Sequence, residues 1–61
     1  MDKPLGVLVV DDDSSIQSIV EEVLSEGGFE PEIASTGEDA IALLNANTYR
    51  AVIIDIAFGR D

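Results

Sequence analysis

The chain has no cysteine and no histidine, and only 3 basic residues stand against 13 acidic ones. Without cysteine no disulfide or thiolate-bound metal can staple a small fold, and the absence suits a cytoplasmic protein. The shortage of Lys and Arg, at a formal net charge of -10, argues against nucleic-acid contacts by this segment, because such binding needs cations to displace counterions from phosphates. No apolar run approaches the roughly 18–20 residues needed to span a bilayer. Met1-Asp2-Lys3-Pro4 has neither the basic segment nor the apolar stretch of a signal peptide. The expectation is a soluble, cytoplasmic chain with no membrane contact. Two motifs are also missing. No glycine-rich turn follows the first apolar run, which disfavours a dinucleotide or P-loop site, and Asp11-Asp12-Asp13 lacks the alternate spacing and glycine of an EF-hand loop.

What is present is apolar. Hydrophobic residues make up 46% of the 61 positions, too many for an acidic disordered tail. A chain of this length makes one small domain at most, burying roughly 60% of the surface its unfolded form exposes. Leu5-Gly6-Val7-Leu8-Val9-Val10 has no polar alternation and reads as a strand buried on both faces of a parallel sheet. It stops at Asp11-Asp12-Asp13. Ile16, Ile19, Val20, Val23 and Leu24 then recur at helical spacing, predicting a helix over about 15–26. Ser14 and Gln17 have the spacing of a capping box, and Gly27-Gly28 supplies the stop. Glu21, Glu22 and Glu26 form its solvated face. Residues 29–34 predict a short strand that Pro31 confines to an edge. Ser35 or Thr36 caps a second helix with Ala40, Ile41, Leu43 and Leu44 on its apolar side, ended by Asn45 to Thr48. Ala51-Val52-Ile53-Ile54 is a second fully apolar run, read as a buried strand ending on Asp55. Gly6 reads as a close helix–sheet approach, and Tyr49 and Phe58 as packing residues.

The order strand, helix, strand, helix, strand implies right-handed crossovers and a parallel sheet with helices on its faces. In such sheets ligands bind beyond the carboxyl ends of the strands, where strand order reverses. Neighbouring strands lie about 4.8 Å apart, so if the first and third are neighbours, Asp11, Asp12 and Asp55 share one pocket. Three carboxylates that close repel one another unless a cation intervenes. An oxygen-rich site free of sulfur and histidine suits Mg2+, which keeps waters and phosphate oxygens among its ligands. A carboxylate beside such an ion is a reasonable nucleophile for phosphoryl transfer. Each piece alone has a plainer reading: an acidic run after a strand is commonly a solvated turn or charge at a helix N-terminus, and a lone Asp after an apolar run is commonly structural. Their joint occurrence, with a capped helix between, favours function.

Taken together, Val7-Leu8-Val9-Val10-Asp11-Asp12-Asp13, Ala34-Ser35-Thr36-Gly37-Glu38-Asp39-Ala40 and Tyr49-Arg50-Ala51-Val52-Ile53-Ile54-Asp55 resemble the receiver domain of response regulators, in its amino-terminal half. The resemblance implies an α/β, flavodoxin-like doubly wound parallel sheet truncated to β-α-β-α-β, strand order 2-1-3, with residues 1–61 supplying the first three strands and first two helices. It implies Asp55 as phosphoacceptor, Asp12 as a direct Mg2+ ligand, Asp11 as one acting mainly through water, and the backbone carbonyl of Ala57 as a further ligand. Asp13 falls at a variable position and is assigned to capping or surface charge. The implied donor is a histidine kinase or histidine phosphotransfer protein. The module is not an enzyme beyond Mg-dependent self-phosphorylation and self-dephosphorylation in a complete domain. Two departures stand out. The Met-Pro pair common after the phosphoacceptor is replaced by Ile56-Ala57-Phe58-Gly59-Arg60, and the family's strand-four hydroxyl and strand-five lysine have no counterpart in these residues. The competing expectations are a non-catalytic half-receiver that dimerises through the exposed edge of its third strand, and an acidic α/β fragment of an enzyme that does not respond to magnesium.

Overall fold

The computed structural model describes residues 2–55. β1 (Asp2–Val10), α1 (Ser14–Glu26), β2 (Glu30–Ala34), α2 (Gly37–Ala46) and β3 (Thr48–Ile54) follow in chain order. The three strands form one parallel sheet, ordered β2-β1-β3. The parallel sheet is what the apolar runs and periodicities predict, and its order is the truncated flavodoxin-like one that the receiver resemblance implies. β2 is an edge strand, as Pro31 requires, since proline has no N–H to give a ladder.

The chain moves one way from β1 to β2 and the other way from β2 to β3, so right-handed crossovers put the two helices on opposite faces. The side chains agree. Leu8 and Val10 cluster with Ala34 and with Ala40 of α2, and Leu43 and Tyr49 pack against that group. Val7 and Val9 alternate to the other face and are equally buried, on the side left to α1. β1 is therefore covered on both faces, which is why its run has no polar residue.

β3 does not share that burial. Its apolar run predicts a strand enclosed like β1, yet Val52, Ile53 and Ile54 are exposed, Ile54 at 60%. Composition alone cannot show this: the same apolar run fits either environment, and among the described residues only β1 pairs with β3. The stripe on α1 is likewise half covered. Val20 and Leu24 are partly buried, while Ile16, Ile19 and Val23 face outward.

The helix ends follow local chemistry, with one correction. The N-cap of α1 is Asp13, one of the two roles expected for it, and not Ser14: Asp13 is extended and its carboxylate accepts from Ser15 N and Ile16 N at 2.8 and 3.3 Å. Aspartate caps as well as serine does, and its charge also suits the helix dipole. At the other end Phe29 N donates to the Leu24 carbonyl and Gly28 N to that of Ser25, with Gly28 at φ 88°. This is a Schellman closure, and only glycine holds that φ without strain. Thr36, rather than Ser35, caps α2 through its hydroxyl, which accepts from Asp39 N at 3.0 Å.

β1 extends further back than its apolar run, to Asp2, and carries an irregularity between Lys3 and Val7 where three residues face one on β3. Pro4 sits in it, where its missing N–H disturbs no regular ladder. Gly6 closes the same feature. A Cβ there would stand 2.7 Å from Lys3 Cβ and 3.1 Å from Tyr49 Cδ1, so the close approach is real but made by strand residues, not by a helix.

Tyr49 donates its hydroxyl hydrogen to Glu32 Oε1 and accepts from Asn47 Nδ2 at 3.2 Å. Burial, then the hydrogen bond and charge of Glu32, hold its pKa above the ordinary 10.0, with Asn47 opposing. A raised folded-state pKa stabilises below the unfolded value and is lost as pH climbs through the raised one. Phenolate absorbance of this single tyrosine should therefore titrate above pH 10, with stability falling over the same range. Glu32→Gln should move the midpoint back down, and an unmoved midpoint would show that Glu32 is not a cause.

Candidate metal centre

Asp11 and Asp55 each lie just past the end of a strand, and the pairing of those strands brings them together. Asp55 N donates to the Val10 carbonyl at 3.1 Å, and Asp11 N to the Ala34 carbonyl at 3.1 Å. The ends of β1, β2 and β3 are thereby tied in a row at the carboxyl end of the sheet. Asp12 follows directly on Asp11. One carboxylate oxygen from each of Asp11, Asp12 and Asp55 lies within 4.8 Å of the others. These are the three side chains singled out from the sequence. Ala57, the fourth proposed ligand, lies outside the described residues, as does Phe58.

The three carboxylates sit in different surroundings. Asp11 is nearly buried, at 6% exposure, and its Oδ1 accepts from Asp13 N at 2.9 Å. Asp12 is exposed and Asp55 is half-buried. The loop that carries Asp11 and Asp12 is pinned at several points. Besides the Asp13 bonds, Gln17 Nε2 donates to the Asp11 carbonyl and to Ser35 Oγ, the latter at 3.0 Å. Spacing alone assigns Gln17 to a capping box with Ser14. In the structure it instead reaches back across the loop from α1 to the β2–α2 junction. No sequence signal points to this role, because Ser35 is brought near only by the pairing of β1 with β2.

The donor set fits a small hard cation. All three groups are carboxylate oxygens, with no sulfur or imidazole to favour a softer metal. Two oxygens bound directly to one Mg2+ at about 2.1 Å lie at most about 4.2 Å apart. A cluster held within 4.8 Å is compact enough to share one such ion, directly or through water. Bringing a divalent charge among them also relieves the repulsion between three converging acids.

The chain matches the response regulator receiver domain over residues 7–61. It belongs to that family. Among curated proteins it is 38% identical over 52 residues to a putative response regulator NtrX-like from Rickettsia felis, covering 85% of this chain and 11% of that protein. It is 35% identical over 57 residues to the response regulator MprA of Mycobacterium sp. strain KMS, covering 93% of this chain and 25% of that protein. The chain thus spans no more than a quarter of these relatives' length. No solved structure gives a significant match. The receiver family is a signalling module of two-component systems whose acidic residues generally bind Mg2+ and whose members interact with histidine kinases. No helix among the described residues is long and apolar enough to cross a membrane.

Proposed function

We propose that this receiver segment is the phosphoacceptor part of a cytoplasmic phosphorelay protein, taking a phosphoryl group on Asp55 from a histidine kinase or histidine phosphotransfer protein. The observation that supports this is the convergence of Asp11, Asp12 and Asp55 within 4.8 Å at the carboxyl end of the sheet. Asp12, Asp55 and the Ala57 carbonyl would hold Mg2+ directly, and Asp11 through water. Asp11 suits the indirect role because it is buried and one of its oxygens already accepts from Asp13 N. When bound, the ion supplies positive charge that offsets the charge on the transferring phosphoryl oxygens.

In the transfer an Asp55 oxygen attacks the phosphorus of the donor's phosphohistidine. The O–P bond forms as the N–P bond breaks, and the imidazole nitrogen keeps the bonding pair and takes a proton from solvent. The product is an acyl phosphate on Asp55. The part this chain plays is positional: the backbone bonds at Asp11 and Asp55 hold the carboxylates at the strand ends before the donor arrives. The strand-four hydroxyl and strand-five lysine implied by the family are not among these residues. The test therefore uses the intact parent chain. Incubation with acetyl phosphate and Mg2+ should add the mass of one phosphoryl group, and chelation with EDTA should abolish the addition. Equal labelling with and without EDTA would overturn the role of the metal.

A second reading, a non-catalytic module that dimerises through β3, draws on the exposure of Val52, Ile53 and Ile54 and on the outer edge of that strand. It predicts a dimer at micromolar concentration by sedimentation velocity, unchanged by phosphodonor. A monomer would rule it out.

A further inference from the structure

The hydrogen bonds of Gln17 reach a group that the acidic cluster depends on. Its Nε2 donates to the Asp11 carbonyl and to Ser35 Oγ, so one side chain of α1 spans the loop after β1 and the loop after β2. The Asp11 carbonyl belongs to the planar peptide unit that joins Asp11 to Asp12. Holding that oxygen fixes the plane, and with it the direction in which the chain enters Asp12. Asp12 is the exposed member of the cluster, and among the described residues no bond to its side chain accounts for its aim. The neighbouring bonds act on other atoms: Asp13 N holds the Asp11 carboxylate, and Asp13 Oδ1 caps the helix. Among the described side chains, Gln17 is the one that holds the peptide between the two acids.

We propose that Gln17 is a positioning residue for the Mg2+ site, with Ser35 holding its amide in place. This rests on the reading of Asp11, Asp12 and Asp55 as that site. Gln17 touches neither metal nor phosphoryl group; it acts through the Asp11–Asp12 peptide. Groups one step behind metal ligands commonly alter affinity about 10–100-fold when removed. The low end applies here, because the neighbouring bonds from Asp11 N to the Ala34 carbonyl and from Asp13 N to the Asp11 carboxylate remain in place.

The experiment is titration of the intact protein with Mg2+ alone by calorimetry, in the parent, Gln17→Met, Ser35→Ala and the double variant. Methionine keeps the length, and closely the helix propensity, of glutamine while removing the donor. Gln17→Met should weaken Mg2+ binding about tenfold, and Ser35→Ala should weaken it less. The double variant should bind no more weakly than Gln17→Met alone, because Ser35 acts through Gln17. The thermal midpoint in EDTA provides the structural readout and should move little. Binding unaltered in Gln17→Met, or losses that add in the double variant, would overturn the inference. So would a loss of affinity matched by a large drop in the EDTA midpoint, which marks general loosening. A parent protein that binds no Mg2+ would overturn the reading of the site itself, a result distinct from any of these.

Discussion

Asp55→Asn should leave the fold intact and reduce phosphorylation by acetyl phosphate below detection. The substitution keeps the shape of the side chain. It leaves in place the bond from the residue-55 backbone N–H to the Val10 carbonyl, so the end of β3 stays tied to the end of β1. What changes is chemistry. A carboxylate oxygen carries the charge and lone pair that attack phosphorus, whereas a neutral amide is a poor nucleophile under the same conditions. The same change removes one of the three carboxylate charges of the cluster, so Mg2+ affinity should fall as well. The two effects separate at saturating Mg2+: restored labelling there would assign Asp55 to metal binding only. Intact-mass measurement reads the modification and circular dichroism the fold. Undiminished labelling of a folded Asp55→Asn protein would show that another residue accepts the phosphoryl group.

Leu8→Ala should cost about 2–5 kcal/mol of unfolding free energy, the range for truncating a large buried aliphatic side chain. Leu8 is fully buried toward the carboxyl end of the middle strand, in the group formed with Val10, Ala34 and Ala40. The surrounding strands and α2 relax only partly into the space such a truncation leaves. Against a typical total of about 5–15 kcal/mol, this is enough to unfold a substantial share of the protein at moderate denaturant. Glu22→Ala, on the exposed side of α1, should change stability by less than about 0.5 kcal/mol. Urea titration gives both values. A Leu8→Ala cost below about 1 kcal/mol would mean that the stability of the domain does not rest on its central strand.

The two effects differ in kind although the residues are near neighbours in the sheet. Leu8 on β1 pairs with Val52 on β3, two positions before Val10 pairs with Ile54. Asp11 and Asp55 come immediately after that last pair. The buried apolar part of β1 supplies much of the energy that holds the sheet together. The register then decides which acids meet. A slip of one residue along β1 would turn every β3 side chain to the opposite face and separate Asp55 from Asp11.

Much of this is legible in the order of the residues. The apolar runs, the change to helical spacing at Ile16, the glycine pair after Glu26 and the acids at both strand ends are local patterns. Each depends on residues within a turn or a strand length, so sequence carries them directly. The meeting of Asp11 and Asp12 with Asp55 is reachable on the condition that the first and third strands are neighbours, which is the order that the receiver resemblance implies. Three matters are decided only by the tertiary structure. Asp13 rather than Ser14 caps α1, because two adequate caps compete and backbone geometry selects between them. Gln17 turns to Asp11 and Ser35, because its partners come from two loops that only strand pairing makes adjacent. β3 is exposed while β1 is enclosed, although both runs are equally apolar. An apolar side chain states that burial is favourable; it does not state what covers it, and that depends on elements distant along the chain.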